Sequence, residues 1–598
     1  MQPYWRTAPR SLIRTIESFK CVNSIVGENW NYTDKSNTSN YNKLIYPTRR
    51  RLLCDIAKKE EEQNGDISST YQNILKLGYD DFLSGQTDWT KDPESNARQL
   101  KATFDFFGFS YTDDNGSFYP TQVGETIINE TFNSETILNQ LMKLYFPFKN
   151  GGGIFIFEEF IKLLNEFNYL NRWEIAFLFC PSSSQEKNKI FDAILNFRKT
   201  YNEHKSDKEK NKVAWKKTYE QFFSTKLTKT QEKDCGRSYW TDYSDAFIRS
   251  IIFTDIFIDS GRGESTKIRV KDLERDKFNL LLSFNFQIPD YSLSSKNQIK
   301  WYGKKDNVLL PWNNHIELIH IVSKKLKKLQ TKNLREYNNL TDKFKISNND
   351  ISNLTDYEIK SLESHINNFY TNENIVSFVK KYSKEDKARN EIIKRYDSIL
   401  NSNEDLSALW LEVNTWKFFA SITNDPKSIK YNGKVNPDLT PRSFAKGVGN
   451  TPDMEVYDND NILLPEVSLM SGVKQWEHEG ASVAEHVYRK KEDNRDKNVF
   501  SIFISKKTHF RSLWMFFILN KDSWAGYPIN IIPIDIETFT EIAKTSYKNN
   551  LKSSHIIDLV QYLSKTVNDV NDFTDWSNVL KHSISTWAQK NTKKSSVI

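Results

Sequence analysis

Two acidic residues, Asp453 and Glu466, flank a folded-back pattern in this 598-residue chain. The run Asn450-Thr451-Pro452-Asp453-Met454-Glu455-Val456-Tyr457 is followed by Asp458-Asn459-Asp460-Asn461 and then by Ile462-Leu463-Leu464-Pro465-Glu466-Val467-Ser468. Met454 to Tyr457 reads as a short apolar strand, the four polar residues as turn chemistry, and Ile462 to Ser468 as the returning strand. Such a hairpin brings both carboxylates to one end of a sheet. Carboxylates held that close repel unless a hard divalent cation lies between them. A cation so held activates water against a phosphodiester. The bland alternative is real: Asp beside Pro is a common turn element, and Glu on an edge strand is usually solvated. Pro437-Asp438 repeats the dipeptide with no apolar hairpin behind it, so the pair alone decides nothing.

The flanking elements must position the pair, and they carry further acids. Leu406 to Phe419 is apolar at helical spacing and holds one acid, Glu412, among Trp410, Leu411, Val413 and Trp416. A carboxylate in such a helix needs a partner or must face water. Val473 to Lys491 reads as a helix in which Gln475, Glu479 and His486 fall within about 40° of one another. Val473, Trp476, Val483 and Val487 supply apolar contacts on the adjoining faces. Asn498 to Ser505 is a continuous apolar strand of the kind buried on both faces. A helix at Phe510 to Asn520 and a strand at Ile529 to Ile536 follow. Helix, hairpin, helix, strand, helix, strand predicts an α/β core with a mixed sheet.

Residues 412–486 resemble the catalytic core of PD-(D/E)XK nucleases, and most of all the AlwI-type restriction endonucleases, a family of type IIS and strand-nicking enzymes. The shared pattern is Glu412 and Trp416, then Asn450, Pro452, Asp453, Met454 and Glu455. Glu466, Val467 and Ser468 come next, then Gln475, Trp476, Glu479 and His486. The resemblance implies that Asp453 and Glu466 hold Mg²⁺, with Mn²⁺ able to substitute and Glu412 as a further or water-mediated ligand. It implies that His486 and Glu479 orient water or stabilise the leaving oxygen. Where the wider superfamily carries Lys two residues after the second acid, this chain has Ser468. That leaves His486, Gln475 or Lys474 to orient the attacking water.

Other chemistries are disfavoured. Gly433-Lys434 lacks the earlier glycine of a phosphate-binding loop, and Gly151-Gly152-Gly153 leads into a strand without a phosphate-gripping helix. His478-Glu479 has Ser482 where a zinc hydrolase would place its second histidine. Cys21, Cys54, Cys180 and Cys235 have no paired spacing, which predicts reduced thiols and no zinc cluster. The net charge of +7 is compatible with a polyanion partner. The chain opens without a charged-then-apolar leader, and its longest strongly apolar run, Leu513 to Leu519, is far too short for a bilayer. These features predict a cytoplasmic protein with no membrane partner.

The N-terminal half holds a weak internal echo. Around Arg98, Leu100 and Lys101 a helix leads to a strand at residues 107–111, a turn at 113–116, a strand at 117–119 and a helix from Thr121. From Asp245, a helix ending near Phe253 leads to a strand at 255–259, a turn at 260–263, a strand at 267–270 and a helix from Lys271. Helix, wing, helix is the outline of a winged helix-turn-helix, although hairpins with flanking helices are widespread. Trp5-Arg6 and Pro9-Arg10-Ser11 resemble the family's opening segment. Arg6, Arg10, Arg98, Lys101 and Arg249 are the candidate DNA contacts. The expected architecture is multidomain α+β. Residues 1–289 form a winged-helix-like recognition half, in two subdomains of about 1–150 and 151–289. Residues 290–400 form a helical linker, in which Lys324, Lys325, Lys327 and Lys328 read as a solvated basic face. Residues 401–598 form the cleavage domain. The expected function is a sequence-specific endonuclease acting on double-stranded DNA at a fixed offset. A transient homodimer or a second nuclease subunit would serve double-strand cleavage. The alternatives are a non-catalytic winged-helix regulator and a structure-specific PD-(D/E)XK repair nuclease.

Overall fold

The computed structural model describes residues 2–34, 45–62, 69–85, 93–203, 210–260, 267–290, 295–401, 407–423, 425–435, 439–443, 451–473, 475–522 and 526–594. Asn450, Lys474, the dipeptide Pro437-Asp438 and residues 261–263 of the second wing lie outside them. The chain divides into two compact units, Met1–Lys59 with Ser69–Ile366 and Glu60–Ser68 with Asn367–Ile598. Residues 290–366 thus fall in the first unit and 367–400 in the second.

Aromatic side chains build the core of the first unit. Trp5 is buried with its ring edge-on to Phe247 at 5.0 Å, and Trp173 stacks on Trp240 at 4.1 Å. Both copies of the helix–hairpin–helix outline are present. Helix Pro93–Phe106 precedes the antiparallel pair Ser110–Thr112 and Phe118–Pro120, and helix Gln122–Ile128 follows, its N-terminus capped by Thr121. The first strand starts three residues later than expected, because Gly108 takes a left-handed φ of 69° between helix and strand. In the second copy helix Ser244–Ile252 leads to strands Phe257–Ser260 and Lys267–Val270, which a third strand, Leu170–Asn171, extends at the edge of the latter. Further along, helix His315–Lys332 ends where Asn333 turns to cap a new helix by accepting the Glu336 N–H. Lys325 does not lie on a solvated face. It is buried between the carboxylates of Glu274 and Glu363 at 2.7 and 2.6 Å.

The second unit is built on a five-stranded mixed sheet. Helix α1 (Ser407–Ile422) precedes strand β1 (Ile429–Tyr431), and the expected hairpin follows as β2 (Met454–Asp458) and β3 (Asn461–Ser468). Helix α2 (Ala481–Asp493), strand β4 (Asn498–Ser505), helix α3 (Phe510–Lys521) and strand β5 (Asn530–Asp535) complete it. The order across the sheet is β5-β4-β3-β2-β1, with β3–β4 and β4–β5 parallel and the other two pairs antiparallel. β4 has strands on both sides and seven buried residues out of eight, which is why it reads as an unbroken apolar run. Both margins are blunt: β1 has three residues, and β5 carries Pro533, which has no N–H to donate.

α1 is buried on nearly every side, as its composition requires. Its C-terminus is capped from another helix segment: the Lys384 ammonium donates to the carbonyls of Ala420, Ser421 and Thr423. The hairpin turn is tighter than the four polar residues suggested. Asp458 pairs with Asn461, leaving Asn459 and Asp460 at the tip, and Asn459 takes the left-handed φ of 48° that such turns demand.

Ile502 lies at the centre of β4 and is fully buried. Ile502→Ala should destabilise the second unit by about 2–5 kcal/mol. The check is urea unfolding of the full chain, with the first unit's transition unmoved.

Candidate active site

The register of the hairpin sets the site. Val456 lies opposite Leu463, and the same register continued places Asp453 opposite Glu466. Pro465 interrupts the ladder at this point, since it has no N–H. The carboxylates take over as acceptors. The Asp453 N–H donates to Glu466 Oε2 at 3.3 Å, and the Val467 N–H donates to Asp453 Oδ2 at 2.9 Å. Each strand's acid therefore accepts from the facing strand's backbone, which fixes both side chains at one end of the sheet.

Four acids share this region. Burial, then the charge of Glu466, pushes the Asp453 carboxyl well above the usual range, with Glu479 adding in the same direction. Glu466 is raised in the same way by burial, and Glu479 and Glu412 add to it. Glu412, buried on α1, accepts a hydrogen bond from the Tyr431 hydroxyl at 3.0 Å. His486, buried on α2, places Nδ1 2.7 Å from Glu466 Oε1 and Nε2 3.5 Å from the Ser482 hydroxyl. Burial holds the imidazole below its ordinary value, against the pull of Glu479 and Glu485.

Glu455 has the opposite fate, two residues from Asp453. It is buried too, but Lys490 and Lys430 pair with it, and Asn432 and Tyr457 donate to it. Burial alone would raise it; the Lys490 ammonium and the hydroxyl and amide donors overcome that and hold it down to about 2. Among the described residues no lysine or arginine does this for Asp453 or Glu466. The site thus holds a half-buried Asp453 and a buried Glu466 that no lysine or arginine among the described residues pairs with.

A divalent cation fits that donor set. Among the described residues no three His, Cys, Asp or Glu side chains converge tightly enough to form a closed cage. Mg²⁺ does not require one: it is commonly held by one or two carboxylates, with water and substrate phosphate filling the remaining positions.

Two sequence-based assignments need correction. Gln475 does not face the acids. Its amide donates to the carbonyls of Met470 and Lys507 at 2.9 and 3.1 Å and accepts from the His509 N–H at 2.6 Å. The cause is a π-helical turn over Gln475–Gly480, which resets the angular phase before α2 begins. Gln475 braces the start of that turn, and Val473, expected to pack, is exposed. Lys101, proposed as a DNA contact, is buried with its ammonium 2.5 Å from Asp105. Of the other candidate DNA contacts, Arg10 pairs with Asp242 at 2.6 Å and Arg249 with Asp245 at 2.8 Å. Arg6 lies over the ring of Tyr4, and Arg98 is exposed on its helix. Ser468 shares the Glu466 side of β3 by strand alternation and accepts from the Met470 N–H at 3.0 Å. Tyr431 and Asn432 were not foreseen: three residues of strand beside a glycine give too short a pattern to read. Asn432 clamps the Pro452–Asp453 backbone, donating from its amide to the Pro452 carbonyl and from its N–H to the Asp453 carbonyl.

A sequence model described as AlwI restriction endonuclease matches residues 106–542. No curated protein gives a significant match. Two solved structures are similar to parts of the chain. One is the small subunit of the heterodimeric restriction endonuclease R.BspD6I, at 19% identity over 34% of this chain and 98% of that one, with a TM-score of 0.28. The other is the BpuJ1 endonuclease binding domain in complex with modified DNA, at 14% identity over 42% of this chain and 86% of that one, with a TM-score of 0.25.

The Lys490–Glu455 pair gives a pH-dependent prediction. A carboxyl lowered on folding contributes stability above its unfolded value, near 4.5, and loses it as pH falls toward about 2. Lys490→Met should cost roughly 3 kcal/mol at pH 7. The gap from wild type should shrink as pH falls below about 4.5. Thermal unfolding followed from pH 7 to pH 3 provides the check.

Proposed function

The chain belongs to the AlwI restriction endonuclease family and is thus a DNA endonuclease; from that premise we propose that it cuts at a fixed offset from a short asymmetric duplex site, as a type IIS or strand-nicking enzyme that requires Mg²⁺. The observation that carries the metal requirement is the mutually facing pair Asp453 and Glu466, which among the described residues has no lysine or arginine of the kind Glu455 has. Asp453 and Glu466 would hold the ion, with Glu412 as a further or water-mediated ligand. Bound there, Mg²⁺ would polarise the scissile phosphate and lower the pKa of water.

The remaining steps belong to the chain's own groups. His486, through Nδ1, fixes the orientation of Glu466. Glu479 lies within the same electrostatic field, where it can accept a proton from water or hold water in line. Ser468 replaces the superfamily's lysine with a neutral hydroxyl. Among the described residues that leaves Glu479 and His486 to order water at the phosphate, with Lys474 outside them. The hairpins of the first unit, at residues 110–120 and 257–270, are the proposed wings of a DNA-reading half. Cutting both strands would take a second copy or a second nuclease subunit, since one site cuts one strand at a time.

Asp453→Ala and Glu466→Ala should each abolish Mg²⁺-dependent cleavage of plasmid, while binding to a site-bearing duplex survives in a gel shift. Loss of a carboxylate removes no phosphate contact. Full cleavage by either variant would eliminate these metal roles, whereas a wild-type chain that binds the duplex and cleaves nothing would favour a non-catalytic regulator. Run-off sequencing of the products should return one offset from one sequence. Ends scattered without a common sequence would instead fit a structure-specific nuclease.

A further inference from the structure

Glu412 is the acid farthest in sequence from the hairpin, and it comes from a helix, not from the sheet. Its direction depends on a neighbouring side chain. Tyr431, the last residue of β1, donates its hydroxyl to Glu412 Oε2 at 3.0 Å. Its ring stacks on Trp416, one helical turn along α1 from Glu412, with centroids 5.9 Å apart and planes 29° from parallel. Its other constraint is Gly433. A Cβ at that position would sit 2.3 Å from both the ring Cζ and the hydroxyl oxygen of Tyr431. Gly433 is thus needed for space, so that the ring can fold back over the residue that follows Asn432. Strand pairing also ties Tyr431 to the acids, since it lies opposite Met454, next to Asp453.

We propose that Tyr431 is a positioning residue for Glu412, seated by Trp416 and by the bare Cα of Gly433 so that its hydroxyl fixes which way the Glu412 carboxylate faces. This rests on Glu412 serving the metal site proposed above. Burial and the adjacent Glu412 charge keep the hydroxyl protonated, so it remains a donor across the working pH range.

The test uses the full chain as wild type, Tyr431→Phe, Glu412→Gln, Gly433→Ala and the Tyr431→Phe/Glu412→Gln double variant. Binding of Mn²⁺ to the DNA-free chain is followed by electron paramagnetic resonance, and single-turnover plasmid cleavage is measured across Mg²⁺ concentrations. Tyr431→Phe keeps the ring and removes one hydrogen bond to a carboxylate. It should slow cleavage about tenfold, raise the half-saturating Mg²⁺ and weaken Mn²⁺ binding to a similar degree. Duplex affinity should not change. Gly433→Ala should behave the same way, because it displaces the ring. In the Glu412→Gln background, Tyr431→Phe should add less than about twofold, since the pair acts as one unit. Wild-type rates and Mn²⁺ affinity in Tyr431→Phe beside an impaired Glu412→Gln would overturn the positioning role alone. An additive loss in the double variant would do so too, since it would reveal packing only. An unimpaired Glu412→Gln would remove that acid from the site, and its positioning residue with it.

Discussion

The site depends on two like charges forced face to face across an antiparallel pair. Asp453 and Glu466 are opposite each other because the two-residue turn at Asn459 and Asp460 fixes the register, and a slip of one residue would turn one of them to the other side of the sheet. They stay there because each accepts a backbone N–H from the facing strand, where Pro465 leaves the ladder incomplete. The arrangement costs folding energy, since burial raises both carboxyls, the Glu466 charge raises Asp453 further, and Glu479 and Glu412 raise Glu466. Glu455, two residues from Asp453 and itself buried, avoids that cost by pairing with Lys490 and Lys430. The pair left without a lysine or arginine among the described residues therefore sits at the end of the hairpin away from its turn, where a bound cation would meet it.

Around this pair, each neighbouring element contributes one group. α1 brings Glu412, α2 brings His486, and β1 brings Tyr431. None of these contributions stands alone. α1 is terminated by Lys384, the start of the π turn is braced by Gln475, and the Asp453 backbone is clamped by Asn432. The chemistry proposed for the acids is thus underlaid by two neutral amides and one ammonium that hold backbone carbonyls.

Much of this was legible in the residues. The hairpin, the flanking helices, β4 and β5 follow from apolar periodicity and turn chemistry, which act locally and repeat over several residues. The two wing-like hairpins were legible for the same reason, although Gly108 delayed the first strand. Three things escaped. Gln475 was misplaced because angular arithmetic assumes an unbroken α-helix, and a π turn is a tertiary accommodation with no sequence period of its own. Lys101 and Lys325 read as surface cations because a lysine's burial is decided by partners distant in space or hidden by helix phase, here Asp105, Glu274 and Glu363. β1 was invisible because three residues give no pattern, and its importance rests on the hydroxyl of Tyr431 and the missing side chain of Gly433.

The blunt margins of the second unit's sheet bear on how it can associate. Exposed strand edges recruit other chains by offering unpaired backbone donors and acceptors. At one margin β1 has only three residues and carries Lys430; at the other, β5 is interrupted by Pro533. Both features discourage a foreign strand from annealing, so the sheet is protected from templated aggregation. Any companion that joins this unit is then expected to grip side chains on its helices instead of prolonging the hydrogen-bonded ribbon.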